Sequence, residues 1–222
     1  MTTSDVFGYS LQDSWDYENG FHLVSDPTRL AKIVAHYELY KLIVDLPGHV
    51  IECGVFKGAS FIRFATFRSI LESQHSRRLI GFDAFGAFPQ PEDVRDKAFV
   101  DEFESNAGQG IPREDLERAL LQKGFTNFDL VAGDINTTLA DYCDGHPELR
   151  ISALHIDVDV YEPTLTALRL LYPRVVPGGL LILDDYGTVA GETRAFEDYF
   201  SDQSPRLRKL PISHIPAYVV KE

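Results

Sequence analysis

Along the chain, short apolar runs alternate with longer segments in which apolar residues return at helical period, the pattern of an α/β sheet built from crossover units. The runs at 49–54, 78–83, 128–132, 151–157 and 179–184 predict strands, each apolar until its last residue or two, where Asp or Gly stands. Helices are predicted near 28–45, 59–73, 112–123, 136–144, 163–172 and 191–201, and Pro163 suits a first helical turn. The tail, at 212–214 and 217–220 around Pro216, predicts a closing pair of strands. No internal repeat or low-complexity tract interrupts the pattern.

One stretch breaks the alternation. Residues 84–111 place Phe85, Phe88, Pro89, Pro91, Phe99, Phe103 and three glycines between the second strand and the next helix. So long a connection in a compact domain is functional or disordered, and its phenylalanines argue against disorder. It is read as a loop-plus-helix cover acting as an active-site lid; the alternative is a surface excursion whose aromatics pack on the sheet.

The 222 residues fit one domain spanning 1–222, with an amino-terminal arm at 1–27. Hydrophobic residues at 44% and charged residues at 25% are those of an ordinary soluble globule. With 21 basic and 34 acidic side chains the net charge is −13, which argues against nucleic acid or an anionic membrane surface as partner. No apolar run approaches the ~20 residues of a membrane span, and the start at Met1 lacks the basic and apolar regions of a signal peptide, so a cytoplasmic location is expected. Cys53 and Cys143 have no CxxC spacing and read as reduced bystanders.

In an open parallel sheet, ligands collect outside the carboxyl ends of the strands. After the first strand comes E-x-G-x-x-x-G, from Glu52 through Gly54 to Gly58, followed by Ser60. Its glycines would let the backbone approach a ligand, and the helix start offers amide hydrogens to an anion; a turn glycine with a helix cap is the plain alternative. Neither a dinucleotide fingerprint nor a P-loop is present. The second strand ends in Asp83, placed to accept hydrogen bonds from a ribose diol. Gly133-Asp134 ends the third, where Asp134 could meet a base and its amine or cap the following helix.

The fourth and fifth strands carry Asp157 and Asp159, then Asp184 and Asp185, 27 residues after Asp157. Carboxylates converging in a cleft repel one another unless a divalent cation neutralises them. Oxygen ligands without a His or Cys cluster point to Mg²⁺ or another hard ion. His155 reads either as a hydrogen-bonded sheet histidine or as a catalytic group.

Together these blocks, with residues 51–60, 81–85, 155–164, 171–179 and 184–187, resemble the macrocin O-methyltransferase family over residues 28–200. The resemblance implies a class I methyltransferase fold, Rossmann-like: a three-layer α/β sandwich around a mostly parallel seven-stranded sheet, with the lid inserted after the second strand. It implies S-adenosyl-L-methionine and Mg²⁺ as cofactors and a hydroxyl of a natural-product sugar as acceptor. Carried over residue by residue, Glu52, Gly54, Gly58 and Ser60 would line the methionine half of the donor, Asp83 would hold its ribose, and Asp134 would sit near adenine. Asp157, Asp184 and Asp185 would coordinate Mg²⁺, and Asp159 would be the general base, with His155 the next candidate. A homo-oligomer is left open.

Two departures stand out: Gly86-Ala87 where a bulkier or charged residue is expected, and Asp134 where relatives have an aromatic. Three rival readings are open. A methyltransferase of phenolic hydroxyls would have Asp-Asn and a lysine three residues after the first metal ligand, where Val160 stands. A non-catalytic donor-binding homologue fits less well with all four carboxylates present. An iron hydroxylase would need two histidines and a carboxylate.

Overall fold

The computed structural model describes residues 5–222; residues 1–4 of the expected arm lie outside the described residues. The arm otherwise forms a small hairpin, β1 (Asp5–Val6) with β2 (Tyr9–Ser10), and a helix, α1 (Ser14–Val24). Asp26 then caps α2 (Pro27–Lys41): its side chain accepts from Thr28 N–H at 2.9 Å, and Pro27 fills the first helical position, where no N–H is needed.

From β3 onward strands and helices alternate as the apolar pattern requires. The parallel strands are β3 (His49–Cys53), β4 (Leu79–Asp83), β5 (Phe128–Ala132), β6 (Ile151–Ile156) and β7 (Val175–Leu183). They are linked through α3 (Ala59–Leu71), α4 (Val94–Ala107) with α5 (Arg113–Gln122), α6 (Ile135–Gly145) and α7 (Tyr161–Leu171). After α8 (Ala190–Tyr199) the chain closes with β8 (Arg208–Lys209) and β9 (Ala217–Val220), the latter antiparallel to β7. The seven-stranded order is β5-β4-β3-β6-β7-β9-β8. Its direction of growth reverses between β3 and β6, so the crevice for a ligand opens at their carboxyl ends.

Period-two alternation sorts the side chains into two cores. Ile51, Cys53, Ile80, Phe82, Leu154, Ile156 and Leu181 pack against α6, α7 and α8. Val50, Leu79, Ala153, Leu180 and Ile182 pack against α2, α3 and α5. Glu52 and His155 share the parity of this second set and are register partners across β3 and β6, so both are buried beneath α2 and α3. Among the described residues no helix is long and apolar enough to cross a membrane.

Two boundaries differ from the sequence expectation. β9 pairs with Arg208–Lys209 rather than with 212–214, because Pro211 and Pro216 flank that segment and deny it ladder hydrogen bonds. β7 begins at Val175, ahead of the expected 179, because Gly178 at φ +83 absorbs the break while its N–H still reaches Lys221 O at 2.7 Å.

Residues 84–111 form a loop and α4, tied back to the glycine loop. Gly110 N–H donates to Gly86 O at 2.9 Å, Ile111 N–H to Phe56 O at 2.8 Å, and Lys57 Nζ to Ala107 O at 2.5 Å. Phe103 packs on Phe56 with ring centres 5.2 Å apart.

Candidate active site

A cavity of about 1060 Å³ opens at the carboxyl ends of β3, β4, β6 and β7, with residues 84–111 forming one side. The loop after β3 is shaped by Gly54 at φ +88, where an added Cβ would stand 1.8 Å from the carbonyl oxygen of Asp157. Only glycine lets the loops after β3 and β6 approach this closely. Asp83 holds the same loop from the other side: Oδ2 accepts from Val55 N–H at 2.7 Å and Phe56 N–H at 2.9 Å, and Oδ1 from Phe85 N–H at 2.6 Å.

Eight of the residues singled out from the sequence line the cavity: Gly54, Ser60, Asp83, Asp134, Asp157, Asp159, Asp184 and Asp185. Asp134 also caps α6, accepting from Asn136 N–H at 2.9 Å. The other three are not on the cavity wall. Gly58 starts α3 at φ +79, with Leu116 packed where a Cβ would go. Glu52 and His155 are fully buried behind the wall.

Behind the wall runs a line of charge. His155 Nδ1 lies 3.0 Å from Glu52 Oε1 and Nε2 3.3 Å from Asp184 Oδ1. Burial alone would lower the pKa of this ring, but the hydrogen bonds to Asp184 and Glu52 outweigh it and raise it to about 10. His155 is therefore an imidazolium that donates from both nitrogens. Lys32, from α2, bonds the other oxygen of Asp184. Burial opposes ionisation of Asp184, yet His155 and Lys32 together hold it well below the usual carboxylate range. The Nε2 of His36 lies 3.7 Å from Asp184, outside hydrogen-bond reach, so burial decides and pulls this ring to about 4, leaving it neutral. It stacks on Phe64 at 5.3 Å.

Asp157, Asp159 and Asp185 are shifted the opposite way. Burial, then the charge of Asp184, raises Asp157 and Asp185, and burial with Asp185 raises Asp159. One ligand oxygen from each of Asp157, Asp184 and Asp185 lies within 4.8 Å of the others. The set is all oxygen, already attracts one cation in Lys32, and is partly buried; it fits a hard divalent ion. Asp159 has φ +61, a left-handed conformation costly for a residue with a Cβ. It is held there by α8: Glu192 N–H donates to Asp159 O at 2.9 Å, and Gly191 packs so closely that a Cβ would lie 2.6 Å from the same oxygen.

Sequence reasoning missed four participants. Arg29, Lys32 and His36 recur at i, i+3 and i+7 on α2, a polar helical face that periodicity could have disclosed. Glu192 carries no such signal. It is fully buried on α8, its Oε1 accepts from Asp185 N–H at 3.0 Å, and burial with the nearby Asp185 carboxylate raises its pKa well above normal.

A reversing parallel sheet with an antiparallel closing strand, a glycine loop after its first long strand and acids at the ends of the others defines a class I methyltransferase fold. Solved structures agree. Calicheamicin methyltransferase CalS11 matches with a TM-score of 0.73 at 25% identity, over 95% of this chain and 86% of that one. The O-methyltransferase NovP shares the fold at a TM-score of 0.73 and 22% identity, over 86% of this chain and 79% of that one.

The chain belongs to the macrocin O-methyltransferase family: the family model described as Macrocin-O-methyltransferase (TylF) matches residues 27–219. The 8-demethyl-8-(2,3-dimethoxy-alpha-L-rhamnosyl)-tetracenomycin-C 4'-O-methyltransferase of Streptomyces olivaceus is 31% identical over 147 residues, 64% of this chain and 54% of that protein. The mycinamicin III 3''-O-methyltransferase of Micromonospora griseorubida is 32% identical over 148 residues, 64% of this chain and 56% of that protein. The matches thus span about half the length of these curated relatives.

Proposed function

We propose that this chain is an O-methyltransferase that takes a methyl group from S-adenosyl-L-methionine and delivers it to a hydroxyl on the sugar of a natural product, assisted by Mg²⁺. The observation that carries this reading is the convergence of Asp157, Asp184 and Asp185 within 4.8 Å, on the same cavity as the glycine loop. The acceptor class rests on the relatives: the Streptomyces olivaceus enzyme is described as acting on a rhamnosyl-tetracenomycin, and CalS11, at 26% identity and a TM-score of 0.68, as a TDP-rhamnose 3'-O-methyltransferase.

In this reading Gly54 and Ser60 receive the amino-acid end of the donor. Asp83 receives its ribose through the lone-pair direction that Oδ1 keeps after accepting Phe85 N–H. Asp134 stands toward the adenine end. Gly58 and Glu52 act indirectly, Gly58 by admitting the start of α3 beside Leu116 and Glu52 by fixing His155. Asp157, Asp184 and Asp185 would hold Mg²⁺, with Asp184 kept ionised by His155 and Lys32. When bound, the donor supplies a methyl already activated on a sulfonium, and the ion supplies Lewis acidity toward the acceptor hydroxyl.

Asp159 takes the hydroxyl proton on its carboxylate; burial beside Asp185 raises its proton affinity toward that task. Glu192 and Gly191 hold Asp159 in its left-handed conformation, so the base is aimed before the acceptor arrives. Residues 84–111 cover the cavity and exclude water from the donor. Holding the acceptor hydroxyl against the donor's methyl group in this cavity would supply the rest of the acceleration by proximity and orientation.

The test is a mass-spectrometric screen of a glycoside panel with donor and Mg²⁺. A donor-dependent gain of one methyl group on a sugar oxygen is expected, abolished by EDTA and restored by Mg²⁺. Turnover unchanged under saturating EDTA would end the metal assignment, and no methyl gain on any glycoside would end the acceptor assignment.

A further inference from the structure

Two guanidinium groups on the cavity wall have no directly bonded counter-charge. Arg29 stands in the first turn of α2, and Arg63 lies one turn of α3 beyond Ser60; both line the cavity. Among the described residues, neither side chain hydrogen-bonds or ion-pairs with the protein. The contrast with their neighbour is sharp: Lys32, one turn along α2 from Arg29, is engaged with Asp184.

Arg63 is half-buried, and burial, then the adjacent Arg29, draws its pKa below the ordinary value, a fall that the nearby carboxylates of Asp184, Glu52 and Asp157 offset only in part. Five N–H donors with no protein acceptor, beside the second cation of the exposed Arg29, leave hydrogen-bonding capacity on the cavity wall that the fold itself does not use. An oxyanion between the two groups would relieve both the missing hydrogen bonds and the repulsion. A carboxylate or phosphate matches the planar fork of a guanidinium in bidentate fashion, which an ammonium could not do.

We propose that Arg63 and Arg29 form an oxyanion site for the carboxylate or phosphate of a bound small molecule. This rests on the reading of the cavity as a donor and acceptor site. Two molecules could supply the group: the donor, through the carboxylate of its amino-acid end, or a nucleotide-linked sugar acceptor, through its phosphates. The position of Arg63 one turn beyond Ser60, beside the glycine loop, favours the donor.

Calorimetric titration of the full chain separates these sources, using S-adenosylhomocysteine, 5'-methylthioadenosine (the same nucleoside without the carboxylate) and thymidine diphosphate. Arg63→Met, Arg63→Lys and Arg29→Met are compared with the natural chain. If the donor supplies the group, Arg63→Met weakens S-adenosylhomocysteine roughly 10- to 100-fold, the worth of a charge-assisted hydrogen-bond pair, and leaves 5'-methylthioadenosine within about twofold. Arg63→Lys then falls between, since it keeps the charge and loses the fork. If the acceptor supplies it, S-adenosylhomocysteine is unaffected and thymidine diphosphate weakens by that factor.

Because Arg63 bonds nothing in the protein, Arg63→Met should melt no lower than the natural chain in the absence of ligand. Arg29→Met provides an independent variant from another helix. Variants that bind all three probes as the natural chain does would overturn the oxyanion site alone. A natural chain that binds neither S-adenosylhomocysteine nor 5'-methylthioadenosine would overturn the cavity reading beneath it.

Discussion

Replacing His155 with Gln should cost the fold several kcal/mol, in a manner that depends on pH. The ring stands between two carboxylates, 3.0 Å from Glu52 and 3.3 Å from Asp184, with the His155 and Glu52 side chains fully buried and Asp184 at 3% exposure. Gln can donate one hydrogen bond but brings no charge, so the variant leaves Glu52 with no hydrogen-bonded cation and Asp184 with Lys32 as its only one. Removing one partner of a buried ion pair costs about 3–5 kcal/mol. The raised pKa gives a similar magnitude: from 6.5 unfolded to about 10 folded, at about 1.4 kcal/mol per pH unit, is on the order of 5 kcal/mol. For a chain of this size that corresponds to a melting temperature lower by roughly 6–20 °C.

The folded-state pKa lies above the unfolded one, so protonation of His155 favours the native state. This contribution is complete below pH 6.5 and disappears as the pH rises through about 10. Thermal unfolding followed by circular dichroism in EDTA, for both proteins at pH 6 and pH 10, should therefore show a large gap that narrows in alkali. A loss below ~1 kcal/mol at pH 6, or a gap that widens with pH, would refute the buried imidazolium.

Three further outcomes are expected. Asp159→Asn should retain S-adenosylhomocysteine affinity by calorimetry and lose turnover by roughly two to four orders of magnitude, the usual worth of a general base; near-normal rates would move the base elsewhere. Gly54→Ala puts a Cβ 1.8 Å from the Asp157 carbonyl oxygen at φ +88. The left-handed conformation alone costs ~1–2 kcal/mol, and relief of the clash must displace Asp157, so both melting temperature and Mn²⁺ affinity should fall. Lys32→Met removes the ammonium on Asp184 and should lower the metal-free melting temperature while enlarging the rise that Mg²⁺ produces; an equal rise in both proteins would count against a shared site.

How far the molecule could be read from its sequence follows from which contacts are local. The strand ends were legible because an apolar run that stops at Asp or Gly announces both the strand and its edge. Gly54, Asp83, Asp157 and Asp184 were found that way, and all reach one cavity. Glu52 shows the limit. It precedes the glycine loop by two residues, yet strand parity turns it with Val50 toward α2 and α3, where it meets His155 rather than the cavity. That meeting needs the register of β3 against β6, set by more than 100 residues of intervening fold. Lys32 is 152 positions from Asp184, and Glu192 reaches Asp185 only after the chain has turned into α8. The strand opposite β9 was misplaced because two prolines outweigh the apolar character of 212–214.

The most direct test of the carboxylate centre is anomalous diffraction from crystals grown with Mn²⁺ and S-adenosylhomocysteine. One strong peak among Asp157, Asp184 and Asp185, with the Lys32 ammonium moved off Asp184, is the expected result. A difference map with no peak there, and Lys32 still bonded to Asp184 at saturating Mn²⁺, would contradict it.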